Sequence, residues 1–366
     1  MKIPLIILVL IFSVIILKAQ EDKFEKYKER KNAAFDEYVK EQNSRWQDYV
    51  DLDSKEYQKF VDDAKKQWGN DAKFSGQKTW VRYGEKLESR TVTDFEKGSL
   101  EIEAIGKEGE TKEELIAKTT KLVKEVIEEK AEPTDSEPIL SNQLETEVKP
   151  EKISAKYVKV VEVKSPEGKV QNKLIINIPF KSNHLKTRAE RVLPIVRKYS
   201  TKYKINPKLV MAVIHTESAF NPKARSTFQR RNGRTGHAYG LMQLVPYSGG
   251  KEAYNYLGNS GNPSPAYLYN ENNNLELGIT YLNLLSKKHF KKVTDEVKNQ
   301  YLITSAYNTG PGNVAKALVG NTKLSEATVK ANSMGTQELY NHLVRKLPYK
   351  ETRDYLDKVI KRIDLY

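Results

Sequence analysis

The sequence predicts an α+β protein in which a smaller α+β accessory domain precedes a larger, mainly α domain. A chain of 366 residues is long enough for two domains of ordinary size. The strongest segments of alternating β-branched residues occur in the first half, whereas from Leu185 onward the periodicity is helical. We therefore expect the accessory domain at 20–183 and the helical domain at 184–366.

The first residues have the composition of a secretory signal. Lys2 is followed by an apolar run from Leu5 to Leu17 and then by Lys18 and Ala19, an order that predicts a signal peptide at 1–19. Because a membrane-spanning helix needs roughly 20 apolar residues, we expect cleavage after Ala19, with an uncleaved segment as the alternative. The expected location of the exported chain is the periplasm or the cell envelope.

Helical periodicity predicts two helices in the accessory domain. Apolar residues recur at helical spacing from Phe24 to Trp68 and again at 112–129. The aromatic side chains of the first helix are expected to face a core rather than to form a platform for sugars. Residues 130–152 combine prolines with Ser, Asp and Glu at low hydrophobicity, and this composition predicts a flexible segment.

Two hairpins are predicted to form one small sheet. Alternating β-branched and aromatic residues occur at 79–83 and at 91–105, where Gly98 marks a turn. A second pair of segments, 157–163 and 169–178, flanks the turn sequence Pro-Glu-Gly. The resulting sheet should pack on the first helix.

The domain at 184–366 is expected to consist of helices joined by long loops. One helix should run from Pro207 to Phe220, because proline suits a first helical turn and the following apolar residues share a face. Prolines and glycines predict loops at 221–240 and 256–275. Long loops often carry binding residues.

The positive charge is concentrated in the helical half. The net charge is +14, and residues 186–366 contain 29 Lys and Arg against 13 Asp and Glu. In an exported protein this asymmetry favours an anionic polymer at the cell surface as the partner, because electrostatic steering concentrates polyanions. No nucleic-acid-binding motif accompanies the charge, so we expect no nucleic acid partner.

The chain has no cysteine and five histidines. The lack of cysteine excludes disulfides and cysteine nucleophiles, and the histidines show no metal-ligand spacing. We therefore expect no metal and no cofactor. A lipid-bearing cysteine is also absent, which leaves an uncleaved signal segment as the one expected route to membrane association.

Glu217 is the only carboxylate between Glu190 and Glu252, and it has Arg and Lys on both sides. Val213 lies four residues earlier on the same helical face, so the carboxyl group should emerge at the rim of the core. Partial burial would raise its pKa, as a general acid requires. The alternative is a solvated glutamate at a helix end. A lone acid is typical of sugar-cleaving enzymes in which the substrate assists.

Four short segments accompany Glu217 in a fixed order. Each segment alone could be a turn, core filler or a helix end, but together they resemble the lytic transglycosylases of the goose-type lysozyme superfamily. Residues around 80–103 also look like the accessory domain of a membrane-bound member of that family. The four segments are E-S-A-F-N-P at 217–222, G-L-M-Q at 240–243, A-Y-N at 306–308 and E-T-R-D-Y at 351–355.

The resemblance implies a lysozyme-like helical domain that cleaves the β-1,4 bond between N-acetylmuramic acid and N-acetylglucosamine in peptidoglycan. The reaction would consume no water and would leave a 1,6-anhydro end, with Glu217 as the single acid and base. Other cell-wall enzymes are candidate partners. The alternatives are a hydrolytic goose-type lysozyme and a catalytically silent peptidoglycan-binding scaffold. By the same resemblance, substrate binding would fall to Ser226, Met242, Gln243, Tyr307, Asn308 and Glu351, with Met242 and Asn308 lining the groove.

The connection between Ser226 and the G-L-M-Q turn is longer and more basic than the family pattern. Arg230, Arg231 and Arg234 lie within residues 227–237. Two interpretations are open: these side chains could bind carboxylates of the cell wall, or they could form a solvated charged loop.

Overall fold

The computed structural model of the protein describes residues 26, 30–31, 55–133, 135, 137–146, 148, 155–230, 233 and 235–366. The chain divides into a unit Met1–Asp53 and a unit Ser54–Tyr366. The predicted signal peptide at 1–19 and most of the first predicted helix lie outside the described residues. Residues 55–68 are helical (α1), and the predicted domain boundary at 183 falls inside the second unit and stays a prediction.

A five-stranded antiparallel sheet with the order β1-β2-β3-β5-β4 forms the first part of this unit. Both predicted hairpins are confirmed, since Asp94 pairs with Ser99 beside one turn and Lys164 with Val170 beside the other. The central strand β3 buries Leu100 completely, because its alternate residues face the core. The strands are β1 Thr79–Tyr83, β2 Ser89–Asp94, β3 Ser99–Ile105, β4 Val158–Lys164 and β5 Val170–Pro179.

Two helices cover the sheet. Helix α2, Lys112–Glu128, begins with a capping box between Thr111 and Glu114, which satisfies two backbone N–H groups of its first turn. Its buried apolar side chains pack on β2 and β3. From α1, Phe60 packs edge-on against Tyr83 with ring centroids 5.5 Å apart, so the prediction that the sheet packs on the first helix is confirmed for the described residues of that helix.

The segment 130–152, predicted to be flexible, contains no helix or strand among its described residues, but part of it packs on the sheet. Ile139 and Leu140 are buried in the core of the sheet, and Leu144 forms a β-bridge with Phe180. The low average hydrophobicity of the segment concealed this apolar pair. Burial of two such side chains stabilises a segment by several kcal/mol at about 1.5–3 kcal/mol each, which is enough to fix its course.

The second part of the unit is helical and is built around α4. This helix begins at Pro207, where the Asn206 side chain accepts a hydrogen bond from the Lys208 N–H at 2.9 Å. Every residue from Leu209 to Ser218 is buried, as expected for a helix surrounded by others. The helices are α3 His184–Tyr203, α4 Pro207–Ser218, α5 Gly249–Tyr256, α6 Pro265–Tyr269, α7 Glu271–Leu284, α8 Glu296–Thr309, α9 Pro311–Val319, α10 Leu324–Ser333, α11 Thr336–Lys346 and α12 Lys350–Arg362.

Both loops predicted in the helical domain contain regular structure. In the first, β6 (Arg225–Gln229) and β7 (Thr235–Tyr239) form a two-stranded antiparallel hairpin. The two five-residue strands, Arg-Ser-Thr-Phe-Gln and Thr-Gly-His-Ala-Tyr, lack the hydrophobic alternation on which the sequence analysis depended. In the second, Ser264 caps the short helix α6. None of the helices within the described residues combines the length and the hydrophobicity that crossing a bilayer requires.

Candidate active site

Glu217 lies in the last turn of α4, where the backbone leaves the helix in an unusual conformation. Ala219 and Phe220 have φ angles of 50° and 62°, so the helix ends two residues earlier than predicted. Two successive non-glycine residues in the left-handed region are strained and need support from their surroundings. Ser218 provides part of it, because its hydroxyl donates a hydrogen bond of 2.8 Å to the carbonyl of Leu241.

The carboxyl group of Glu217 is buried, with only 7% of the residue exposed. Burial raises its pKa to about 8, which outweighs the lowering by the Tyr355 hydroxyl and by the positive charge of Lys78. The negative charge of Glu351 acts in the same direction as burial. Glu217 is therefore largely protonated at neutral pH, as a general acid must be.

The basic neighbours of Glu217 in the sequence do not oppose this effect, because they have other partners. Lys223 forms an ion pair of 2.8 Å with Glu129. The guanidinium of Arg225 lies 4.2 Å from the ring centroid of Tyr57. The charge that lowers the pKa of Glu217 comes instead from Lys78, which directly precedes β1.

Two buried tyrosine hydroxyls lie close to the carboxyl group. The Tyr307 hydroxyl donates a hydrogen bond of 2.7 Å to the carbonyl of Met242. The Tyr355 hydroxyl meets no partner at hydrogen-bonding geometry among the described residues, although it is near enough to lower the pKa of Glu217. Burial raises the pKa of both hydroxyls well above the usual value, and the charge of an ionised Glu217 adds to the effect. Both hydroxyls are therefore neutral.

Glu217 opens into a groove of about 850 Å³. Six of the seven predicted site residues line this groove, so the structure brings together side chains from α4, the hairpin, the G-L-M-Q turn, α8 and α12. The six are Glu217, Ser226, Gln243, Tyr307, Asn308 and Glu351.

Met242 is the exception, because its side chain is not among those that line the groove. The residue is fully buried, and its sulfur packs so closely on Gly278 that a Cβ atom there would lie 2.3 Å from it. Met242 contributes through its backbone, because its carbonyl accepts the hydrogen bond from Tyr307.

The G-L-M-Q turn is fixed by Asn274, a residue that the sequence analysis missed. The Asn274 amide donates to the carbonyls of Tyr239 at 2.9 Å and Leu268 at 2.7 Å, while its oxygen accepts from the Met242 N–H at 2.9 Å. Gly240 has a φ angle of 73°, and a Cβ atom there would lie 2.4 Å from the Asn274 nitrogen. The turn therefore requires glycine. No local signal in the sequence marked Asn274, because its role depends on its burial and on partners that are distant in the chain.

Hydrogen bonds orient the remaining polar groups of the groove. The Ser226 hydroxyl donates to the Gln243 side-chain oxygen at 2.8 Å, and the Gln243 amide donates to the Gly240 carbonyl at 3.0 Å. On the other wall the Thr352 hydroxyl donates to the Asn308 side-chain oxygen at 2.7 Å. These contacts hold the groups in place before a substrate arrives, which is the arrangement that stabilises developing charge at least cost.

The accessory region also contributes to the groove. Gln77, which precedes β1, lines it together with Glu217. Asn221 donates a hydrogen bond of 3.3 Å to the Gln77 carbonyl, and the Arg225 N–H donates one of 3.3 Å to the Gly76 carbonyl. Nothing in the local sequence around Gln77 indicated this position, because the contact joins segments that are far apart in the chain.

Comparison with known proteins identifies two matching family models. One is the Transglycosylase SLT domain, at residues 194–329, and the other is the Membrane-bound lytic murein transglycosylase C, N-terminal domain, at residues 45–191. Together these two ranges include Glu217 and Gln77.

Two individual relatives have the name that also appears in the second family model. The chain is 29% identical over 314 residues to membrane-bound lytic murein transglycosylase C of Histophilus somni strain 2336, covering 80% of this chain and 82% of that protein. It is 34% identical over 186 residues to the protein of the same name from Haemophilus influenzae strain PittGG, covering 51% and 49%. A solved inactive mutant of the lytic transglycosylase Slt from Pseudomonas aeruginosa matches with 24% identity, a TM-score of 0.34, and coverage of 47% of this chain and 23% of that chain.

Proposed function

We propose that Glu217 is the single acid and base of this chain, a lytic transglycosylase with an SLT domain, in a reaction that leaves 1,6-anhydro ends on peptidoglycan. The bond broken would be the β-1,4 bond between N-acetylmuramic acid and N-acetylglucosamine. The observation that carries this proposal is the buried carboxyl of Glu217, with a pKa raised to about 8, at the wall of a groove of about 850 Å³.

In the first half of the reaction Glu217 donates its proton to the glycosidic oxygen. The bond from that oxygen to the anomeric carbon of the muramic residue then breaks, and the N-acetylglucosamine side leaves with a hydroxyl group. The acetamido oxygen of the muramic residue stabilises the cationic centre in place of a second carboxylate. The protonated state of Glu217 at neutral pH favours this step, because general acid catalysis requires a proton on the donor.

In the second half the Glu217 carboxylate removes the proton from the C6 hydroxyl of the muramic residue. The C6 oxygen bonds to the anomeric carbon, the acetamido oxygen is released, and Glu217 is again protonated. No water is consumed. The neighbouring hydroxyl of Tyr355, which lowers the pKa of Glu217, can donate to the carboxylate during its short lifetime and so limit the cost of a buried charge.

Neutral polar groups would hold the sugars on either side of Glu217. The Tyr307 hydroxyl donates to the Met242 carbonyl, so its oxygen retains acceptor capacity for an acetamido N–H. Ser226 and Gln243 are hydrogen-bonded to each other. Their remaining lone pairs and the free amide hydrogen of Gln243 would bind hydroxyl groups of the sugars. Asn308 and Glu351 would bind the strand from the opposite wall.

The substrate places this activity in the cell envelope. We propose that the chain acts in the periplasm or at the envelope surface, which agrees with the signal segment expected at 1–19 and with the names of its relatives. Cell-wall enzymes that cut or extend the same strands are its candidate partners.

The chemical end of the product tests this proposal. After digestion of isolated sacculi, mass spectrometry should find muropeptides that are one water lighter than reducing muropeptides, in agreement with a 1,6-anhydro end. Reducing ends would instead show a hydrolytic goose-type lysozyme. Intact strands that remain bound to the protein would show a silent scaffold.

A further inference from the structure

Arg230 occupies a defined position in the groove. It follows β6 directly, lines the groove, and places its guanidinium 3.8 Å from the ring centroid of Tyr247, which lines the groove as well. A stacked guanidinium keeps the N–H groups along its edge available for a planar acceptor.

The hairpin is shaped to support this stack. A Cβ atom at Gly236 on β7 would lie 2.0 Å from the Tyr247 hydroxyl oxygen and 2.8 Å from the ring of Phe228. Only a residue without a side chain leaves this space for Tyr247. The ring beneath Arg230 is therefore packed against the hairpin, and the guanidinium lies on a fixed surface.

The charges in the groove distinguish Arg230 further. Among the described residues that line it, Arg230 is the only cation, and the ionisable acids are Glu217 and Glu351. Since Glu217 is largely protonated at neutral pH, the described lining has one cation, near the hairpin, and one other carboxyl group, Glu351 on α12. Hydroxyl and acetamido groups of sugars are neutral and need no cation.

The carboxylates of a peptidoglycan strand all lie on the lactyl side of its muramic residues. A muramic residue has a lactyl ether, and this ether ends in its own carboxylate on a bare strand or continues into a peptide with carboxylates on a peptide-bearing strand. An arginine fork binds a carboxylate through two parallel hydrogen bonds.

We propose that Arg230, stacked on Tyr247, is a carboxylate-binding subsite for the lactyl side of a bound muramic residue. This inference rests on the proposed function for the identity of the polymer. On this proposal the hairpin is not merely a solvated charged loop, because its residue Arg230 would select strands that carry a carboxylate.

Binding measurements test the subsite separately from the reaction. Calorimetric titration would use the Glu217→Gln protein, alone and combined with Arg230→Ala, Arg230→Lys or the control Arg345→Ala, whose arginine is exposed on α11. The ligands are three soluble glycan strands: peptide-bearing strands, bare strands with free lactyl carboxylates, and the same bare strands after methyl esterification.

We expect Arg230→Ala to raise the Kd for carboxylate-bearing strands about tenfold or more, as the loss of a charge-assisted hydrogen bond does, and to leave the Kd for esterified strands unchanged. Arg230→Lys should restore part of the affinity, because lysine keeps the charge but lacks the planar fork. Arg345→Ala should change nothing. The strand with the larger loss identifies the carboxylate as belonging to the lactyl group or to the peptide.

Equal losses on all three ligands, or no loss on any, would overturn the subsite. A failure of the proposed function would be seen in a different experiment, the digestion of sacculi, where the wild-type protein would give reducing ends or no product.

Discussion

Glu217→Gln is expected to abolish product formation while the protein stays folded. Glutamine has nearly the same shape but can neither donate the first proton nor remove the second, and general acid and base catalysis contributes roughly 10²–10⁴-fold to a rate. Because one residue would perform both steps, we expect turnover of sacculi to fall by at least the upper part of this range. The measurement is the rate of release of soluble muropeptides.

The matched control for this variant is Glu190→Gln. Glu190 lies on α3, its side chain is 63% exposed, and its ion pair with Lys186 is long, at 3.8 Å. The same chemical change there should leave the rate within a factor of two, since exposed pairs of this kind contribute little. If the Glu217→Gln protein kept its activity, Glu217 could not be the acid and base of the reaction.

The folding stability of Glu217→Gln should exceed that of the wild-type protein at alkaline pH. In the folded protein the pKa of Glu217 is about 8, against a usual value of 4.5. A carboxyl with a raised pKa stabilises the fold below pH 4.5, and this contribution is lost as the pH rises towards 8. The difference in unfolding free energy between the variant and the wild type should therefore grow by several kcal/mol across this range. Parallel urea titrations of the two proteins from pH 4 to 9 measure it.

Arg188→Met is expected to remove a large part of the folding stability of the protein. Arg188 is 1% exposed. Its guanidinium donates hydrogen bonds to the Phe95 carbonyl at 2.6 Å, the Gln143 side-chain oxygen at 2.7 Å and the Ala219 carbonyl at 3.1 Å. Burial lowers its pKa to about 9, so it is still charged at neutral pH. Methionine fills much of the volume but leaves three buried acceptors without donors, each at about 1–3 kcal/mol.

Arg188 also connects the region of the five-stranded sheet to the groove. Phe95 directly follows β2 and Gln143 lies in the turn before the β-bridge of Leu144, whereas Ala219 is the left-handed residue two positions after Glu217. We expect Arg188→Met to lower the unfolding free energy by about 4 kcal/mol, measured by urea unfolding at pH 7. The control is Arg197→Met on the exposed face of the same helix, which should change the value by less than about 0.5 kcal/mol. Similar losses in both variants would contradict this account of Arg188.

Local patterns were sufficient for most of the fold. Alternation with a turn glycine placed the hairpin around Gly98, and a proline before an apolar run placed the start of α4 at Pro207. The apolar neighbour Val213 indicated that Glu217 would be partly buried. Each of these predictions depends on residues within one element, where side-chain period and backbone geometry are coupled.

What the sequence did not reveal depends on contacts between distant segments. Gln77 is held at the groove by a hydrogen bond that the Asn221 amide donates to its carbonyl, and Asn274 fixes a turn that lies more than 30 residues earlier in the chain. The sequence also left the protonation of Glu217 open, because the nearby Lys223 and Arg225 favour the charged form. Only the fold shows that Lys223 is paired with Glu129, so that burial determines the pKa.

The central claim is that burial keeps Glu217, the proposed acid of the reaction, protonated at neutral pH. Its most direct test is a ¹³C NMR titration of the protein labelled at the glutamate carboxyl carbons, with the signal of Glu217 assigned by its loss in Glu217→Gln. We predict a midpoint near pH 8 for this carboxyl. A midpoint near 4.5, the usual value for glutamate, would contradict the account, because Glu217 would then lack the proton that the first step requires.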